Sequence, residues 1–343
     1  MPNSIPPSAG DEMLLNSPHG VNAPSGSSLL DLAKWLRTMG DTGHVPAGGE
    51  CSAVATHVPG WLDEATGKDW YELLTPALCA HHPQVVMQWL LDVGLLVKLM
   101  PELADTVALS QEGGRRHKDV WEHTKTVVWQ AVPRPAVRWA AVLHDIGKVP
   151  TRKFLSAGKV TFHGHAEAGR RMFKRGPAKI IDFPEDVGPR VEFLIHHHLR
   201  PGQYLPSWSD AALRRFVKEM GEGLRDLLDL GRADVTSRRP GKRKACLRQI
   251  SSLAVRIREL EARDAIPRPL PAGLGAHLME RFELPPGKHL AHLREGLEAL
   301  CLQGELEHGR EATYYADAVE RLNLLQGVEV LDGRRRRGRE SST

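Results

Sequence analysis

Apolar residues recur at helical spacing along most of this chain, and that periodicity constrains its fold more than any other feature. Leu29, Leu32, Trp35, Leu36 and Met39 line one face of a first segment, which Ser28 can cap, with Asp31 three residues on and Gly40 as its stop. From Trp61 to Leu109 the pattern is again helical, most plainly in VVMQWLLDVGLLVKLMPEL, with a break at Pro101. No stretch shows regular strand-turn-strand spacing and no repeat period is visible. The expected fold class is therefore all-α, a helical bundle with flanking helical segments.

Punctuation divides the chain further. Residues 1–27 are rich in Pro, Ser, Gly and Asn, offer little to bury, and are expected to be disordered. A short helix and a Gly/Pro linker fill 28–60, and a helical lead-in follows over 61–110. Within 111–245, helices are expected over Asp119 to Ala131 and over Pro135 to Ile146, the latter with Gly147 as its C-terminal cap. Further helices are expected over Ala166 to Lys174, Glu185 to Leu199, Asp210 to Glu219 behind a Ser209 cap, and Gly223 to Thr236. VTFHGH carries a short extended stretch. A C-terminal helical body spans 246–330, beginning with the amphipathic ACLRQISSLAVRIRELEAR, and residues 331–343 form a basic, disordered tail.

Composition narrows the function classes. The four cysteines, Cys51, Cys79, Cys246 and Cys301, include no CxxC pair, which argues against a zinc ribbon and a disulfide framework. The N-terminus has no basic start followed by an apolar run, and nowhere do about 18 apolar residues run together. A cytoplasmic protein without a membrane span is expected. The formal charge of +4 is small, but basic residues cluster at Arg115 to Lys118, Arg170 to Arg175, Arg232 to Lys244 and Arg334 to Arg339. Each cluster alone is an ordinary solvated face. Their grouping around the histidines described next points to a phosphate-bearing partner.

Those histidines are concentrated: 117, 123, 144, 163, 165, 196, 197 and 198, out of 17 in the chain. In WAAVLHDIGK the apolar residues before His144 can enter a core while His144 and Asp145 stand at a helix end. Adjacent helical residues diverge by about 100°, so an imidazole and a carboxylate can approach one cation from two directions, with His123 as a third ligand. Mixed nitrogen and oxygen ligation suits Mn, Mg, Fe, Co, Ni or Zn.

In order along the chain, His123, His144 with Asp145, and Asp234 within GRADV resemble the H…HD…D pattern of the HD-domain metal-dependent phosphohydrolases. The strings HKDVWEHT, LHDIGKVPTR, VTFHGHAEAG, IHHHLRP and GRADVTSR look more closely like the HD portion of bacterial CCA-adding tRNA nucleotidyltransferases and poly(A) polymerase-like proteins. The likeness extends through LEARDAI and LPPGKHL…LEALCLQGEL, covering roughly residues 75–320. The nucleotidyltransferase head of that family carries a Gly-Gly or Gly-Ser turn followed by paired carboxylates. Here Gly48-Gly49 is followed by Glu50-Cys51-Ser52, and the chain reads as lacking that head.

The resemblance implies a core metal set of His123, His144, Asp145 and Asp234 and a second ion held through His165 and His197, with His198 as an extra ligand and Asp145 as the bridge. His144, Asp145 and Lys148 would be catalytic, and Lys148 and Arg152 would contact substrate phosphate. His163 and His196 read as bystanders, and His117 and Lys118 as a solvated helix start or a substrate contact. The expected activity is hydrolysis of nucleotides, cyclic phosphates or RNA ends with one or two divalent ions. The alternatives are a non-catalytic protein that binds tRNA or other RNA, and a body subunit working with a separate nucleotidyltransferase head.

Overall fold

A computed structural model describes residues 28–44, 54–109, 119–155, 159–237, 239–265 and 269–326. The termini expected to be disordered, Gly48-Gly49 and the cluster from Arg115 to Lys118 lie outside the described residues. Helices of eight residues or more are α1 (Leu29–Thr42), α2 (Gly67–Leu78), α3 (Pro83–Asp92), α4 (Val120–Gln130), α5 (Pro135–Leu143), α6 (His165–Arg175), α7 (Gly188–His197), α8 (Asp210–Met220), α9 (Leu224–Ala233), α10 (Pro240–Ala265), α11 (Leu274–Arg281), α12 (Lys288–Leu302) and α13 (Ala312–Arg321). A single antiparallel hairpin, β1 (Lys153–Leu155) with β2 (Lys159–Thr161), pairs Phe154 with Val160. Among the described residues the fold is all-α apart from this hairpin.

Two compact units divide the chain at 257/258, within α10. In the first, α5 is the central rod. Every residue from Val137 to Leu143 is buried, as expected of a helix that is apolar all round, and α2, α4, α7 and α9 all pack on it. The two polar groups on this rod are satisfied. The Trp139 indole donates to Thr75 Oγ1 at 2.9 Å, and the buried Arg138 guanidinium donates to Val128 O at 2.7 Å, at the C-terminal end of α4 where backbone carbonyls lack helical partners. Losing the Thr75 acceptor would leave a buried N–H unpaired, at about 1–3 kcal/mol.

The capping expectations were met at Ser28, whose hydroxyl accepts from the Asp31 amide, and at Ser209, which accepts from Ala212. Two glycines play other parts than expected. Gly40 lies inside α1, which runs on to Thr42 and closes on Gly43 in the left-handed region at φ +70°. A Cβ on Gly40 would stand 2.8 Å from Ala80 Cβ and 3.0 Å from Ala77 O, so the missing side chain lets α1 press against the end of α2. Gly147 is no left-handed cap either. The helix before it ends at Leu143, and Gly147 has φ −70°. Part of the expected linker, from Val58, is a helical turn that continues to Glu64.

The second unit builds its own core from Leu274 and Leu278 of α11, Leu293, Leu297 and Cys301 of α12, and Tyr315, Ala318 and Val319 of α13. Tyr315 Oη lies 2.7 Å from the carbonyls of Pro269 and Glu307, tying a loop at each end of the sequence segment to this core.

Candidate metal centre

Three helix C-termini converge in the first unit, and each ends on a residue with a ligating side chain. His144 caps α5, His198 caps α7 and Asp234 caps α9. A helix C-terminus carries partial negative charge, so this convergence favours a cation before any side chain is counted. His123 comes from the first turn of α4, Asp145 follows His144, and His165 opens α6 behind Gly164, whose φ of +80° makes the sharp turn out of β2.

Tethers between the helices hold the arrangement. Gln130 Nε2 donates to Ala233 O at 2.9 Å, linking the end of α4 to the end of α9, and Arg134 pairs with Asp226 at 2.8 Å and Asp229 at 2.6 Å on α9. The turn after Asp145 meets α6 backbone to backbone. A Cβ on Gly147 would fall 2.1 Å from His165 O and 2.4 Å from Gly169 N. Gly147 thus permits the close approach that brings His165 to Asp145, and any larger residue has to push them apart.

The histidines share one orientation. Nδ1 of His144, His165 and His198 lies 2.7–2.8 Å from the carbonyl three residues earlier, that of Ala141, Phe162 and Ile195 respectively. A carbonyl only accepts, so each Nδ1 carries the proton and each Nε2 presents a lone pair. At the caps of α5 and α7 the acceptor is one of the carbonyls a helix end leaves without a partner. His123 Nδ1 is 2.8 Å from Thr236 Oγ1, which leaves its Nε2 facing inward too. Outer partners of this kind orient metal-ligating imidazoles in general.

The inward atoms form two groups, each with ligand atoms within 4.8 Å of one another: His123, His144 and Asp234, and Asp145, His165 and His198. The carboxylate of Asp145 joins them. Its Oδ2 is 3.4 Å from His123 Nε2 and 3.3 Å from His144 Nε2, while Oδ1 is 3.6 Å from His165 Nε2. His165 Nε2 and His198 Nε2 face each other at 3.1 Å. Two lone pairs at that separation repel, so the geometry calls for something positive between them. This donor set of imidazoles and carboxylates fits divalent cations.

Lys148 is the other cation of the site, with Nζ 2.5 Å from Asp145 Oδ2. Burial alone would raise the Asp145 pKa, but His144, Lys148 and His123 hold it well below the ordinary carboxylate range. For Asp234 too, burial is outweighed, by the hydrogen bond and charge of His123 and the charge of His144, and its pKa is lowered. Burial opposes charge on His144, yet Asp145 and Asp234 raise its pKa. On the other side of Asp145 burial wins: His165 is lowered, and His198 falls to about 4 through burial and the neighbouring His144.

Of the residues expected from sequence, the structure gathers His123, His144, Asp145, Lys148, His165, His198 and Asp234. It does not bring in His197. That ring packs on Phe193, with centroids 4.6 Å apart, and on His196, and its pKa is lowered to about 4 by burial and then by His196 and Arg200. Consecutive positions at a helix end point about 100° apart, so one of the three neighbouring histidines faces the centre, and it is His198. His163 is exposed, and His196 Nδ1 lies 3.0 Å from Glu167 Oε2. Arg152 is exposed beside the hairpin, its guanidinium 5.1 Å from the Phe154 ring centroid. Sequence reasoning missed Thr236, whose only signal was its place two residues after Asp234, and the contact of Gly147 with Gly169.

Comparison with known proteins agrees with this geometry. Residues 120–239 match the HD domain family. A CC-adding tRNA nucleotidyltransferase of Thermus thermophilus is 39% identical over 160 residues, covering 45% of this chain and 35% of its own length. An A-adding tRNA nucleotidyltransferase of Deinococcus radiodurans is 32% identical over 228 residues, 64% of this chain and 51% of that protein. A multifunctional CCA protein of Pasteurella multocida is 36% identical over 124 residues, 32% of this chain and 29% of its own length. The chain thus spans 29–51% of the length of these three relatives. It contains an HD domain and, across the HD and body region, is homologous to the CC-adding, A-adding and CCA-adding tRNA nucleotidyltransferases.

Proposed function

We propose that this chain is a metal-dependent phosphohydrolase, a phosphodiesterase or phosphatase acting on nucleotides, cyclic phosphates or RNA ends. The observation that carries the reading is the division of the Asp145 carboxylate between two ligand groups, with the Lys148 ammonium on the same carboxylate. His123, His144 and Asp234 would hold one divalent ion, His165 and His198 a second, and Asp145 would touch both. Such ions acidify water towards a pKa of about 7 and offset charge on phosphoryl oxygens.

The chain's own groups supply the rest. The Nδ1 contacts to backbone carbonyls fix His144, His165 and His198 in the tautomer that presents Nε2, so little reorganisation accompanies their ligation. Lys148, a point charge at the edge of the centre, is placed to meet a phosphate oxygen once Asp145 is engaged elsewhere. Among the described residues no helix is long and apolar enough to cross a membrane, and we propose a cytoplasmic setting. Purified protein analysed for metals and assayed on a panel of phosphodiesters and phosphomonoesters tests the function. Asp145→Ala should lose metal and hydrolysis together. A variant that still hydrolyses 2′,3′-cyclic nucleotides in metal-replete buffer would overturn the reading.

The homology to tRNA nucleotidyltransferases favours a second reading, a non-catalytic RNA-binding protein or a body subunit for a separately encoded nucleotidyltransferase head. Salt-sensitive tRNA binding without bound metal would support it over the first.

A further inference from the structure

The hairpin between Arg152 and His165 has an unusual surface for an element with no core of its own. Phe154 is 56% exposed, and Arg152 stacks on it without a carboxylate partner among the described residues. Strand register explains why these side chains meet. Phe154 pairs with Val160 and Lys153 with Thr161. Side chains alternate between faces, so Arg152, Phe154, Val160 and Phe162 fall on one side and Lys153, Leu155 and Thr161 on the other. Phe162 then leads into the metal centre: Lys148 Nζ is 5.7 Å from its ring centroid, and its carbonyl accepts from His165 Nδ1.

The result is a track of alternating cations and rings. It starts at Asp145, passes through Lys148 on Phe162, and ends at Arg152 on Phe154. Lys148 and Arg152 are one helical turn apart, a rise of about 6 Å, so that Arg152 and, once Asp145 is engaged elsewhere, Lys148 can meet successive phosphates. An exposed ring flanked by cations is the combination by which proteins hold unpaired nucleic-acid strands, the ring taking a base by stacking and the cations taking the backbone. An exposed Phe without cations beside it would be an ordinary surface residue.

We infer that the Arg152–Phe154 face of the hairpin is a stacking platform for a base of single-stranded nucleic acid, which it holds with the adjoining phosphate directed along Lys148 to the metal centre. This inference rests on the proposed phosphohydrolase reading and narrows its substrate from small phosphoesters to a strand bearing at least one base beyond the reacting phosphate. Phe154 is a substrate-binding residue in this account and touches no reacting atom.

The test is binding of a fluorescein-labelled phosphorothioate oligoadenylate hexamer to the full, metal-replete chain, followed by anisotropy. Phe154→Ala should weaken binding about 5- to 100-fold, the range for removing one stacked base, and Phe154→Trp should retain it within about twofold. Leu155→Ala, on the opposite face of the same strand, controls for damage to the hairpin and should bind as the wild type does. An abasic hexamer with the same phosphates should bind wild type and Phe154→Ala equally. Unchanged hexamer binding by Phe154→Ala, an equal loss for the abasic probe, or an equal loss in Leu155→Ala would each overturn the inference. Hydrolysis of bis(4-nitrophenyl) phosphate, which has no base, separates the two claims. A wild type that hydrolyses it while Phe154→Ala binds normally refutes the platform alone. A wild type that stacks the hexamer but hydrolyses nothing refutes the phosphohydrolase reading and leaves the platform standing.

Discussion

The two halves of the candidate metal centre use nearly the same donors under opposite electrostatics. In the half built from His123, His144 and Asp234, carboxylates dominate, and the His144 pKa is raised. In the half built from His165 and His198, burial dominates, and both imidazoles are pushed towards the neutral form. Asp145 belongs to both, one oxygen on each side. The difference teaches that burial alone does not set the charge of a histidine here: the charge and hydrogen bond of Asp145, with Asp234, outweigh burial at His144, whereas at His198 burial and the charge of His144 outweigh the same two carboxylates. It also separates the roles of the halves. The first attracts a cation through charge, and the second offers imidazoles that stay unprotonated for ligation down to mildly acid pH.

The comparison breaks most completely at Asp145. Asp145→Asn should remove metal from both halves and cut phosphoester hydrolysis by well over ~100-fold, because loss of a shared ligand exceeds the 10- to 100-fold effect typical of an outer partner. Retention of full metal content by elemental analysis would show that the carboxylate bridges nothing. Single-half variants come next. Asp234→Asn and His198→Gln should each lower the bound metal without abolishing it, and the double variant should lose both increments. If either single variant empties the protein entirely, the halves are one site and the two-group description fails.

How much of this was legible in sequence depends on what kind of information each residue carried. Helical periodicity carried α1, α4, α5, α8 and α9 to within a few residues, because their apolar faces repeat without interruption and Ser28 and Ser209 supply caps. The glycines were misjudged because sequence shows that a side chain is missing, whereas the reason for it, Ala77 and Ala80 against Gly40 or His165 and Gly169 against Gly147, comes from a distant segment. The order of His123, His144, Asp145 and Asp234 was enough to group them, since an unusual pattern of ligand types survives without geometry. The choice between His197 and His198 was not legible, because it depends on where α7 ends and how it is rotated on α5. The Nδ1 acceptors were invisible for a plainer reason: three of them are backbone carbonyls, which every residue has.

Thr236 sharpens the comparison at a finer scale, being the one side-chain partner among the four Nδ1 contacts. Thr236→Val keeps the shape and removes the hydroxyl, so His123 should lose its orientation while the other three imidazoles keep theirs. Metal affinity should fall about 10-fold in the first half only. Competition titration with a chelator, carried out in the His198→Gln background, reads that half separately, and an unchanged affinity there would make the hydroxyl contact incidental.

The smallest effect concerns metal-free protein, where the opposed pKa shifts set opposite pH slopes. His165 and His198 are lowered relative to an unfolded value near ~6.5, His198 to about 4, so the unfolded chain binds more protons between those limits. Their contribution to stability is complete above about pH 6.5 and declines as pH falls towards about 4. His144 is raised, so its contribution is complete below about pH 6.5 and declines as pH rises through its folded pKa. Urea midpoints measured in chelator should therefore fall on both sides of neutrality, by something on the order of 1 kcal/mol per pKa unit shifted. His198→Gln should flatten the acid side and leave the alkaline side alone, and His144→Gln should do the reverse. Equal flattening of both sides by either variant would mean that the halves titrate as one coupled group, and the electrostatic contrast between them would fall with it.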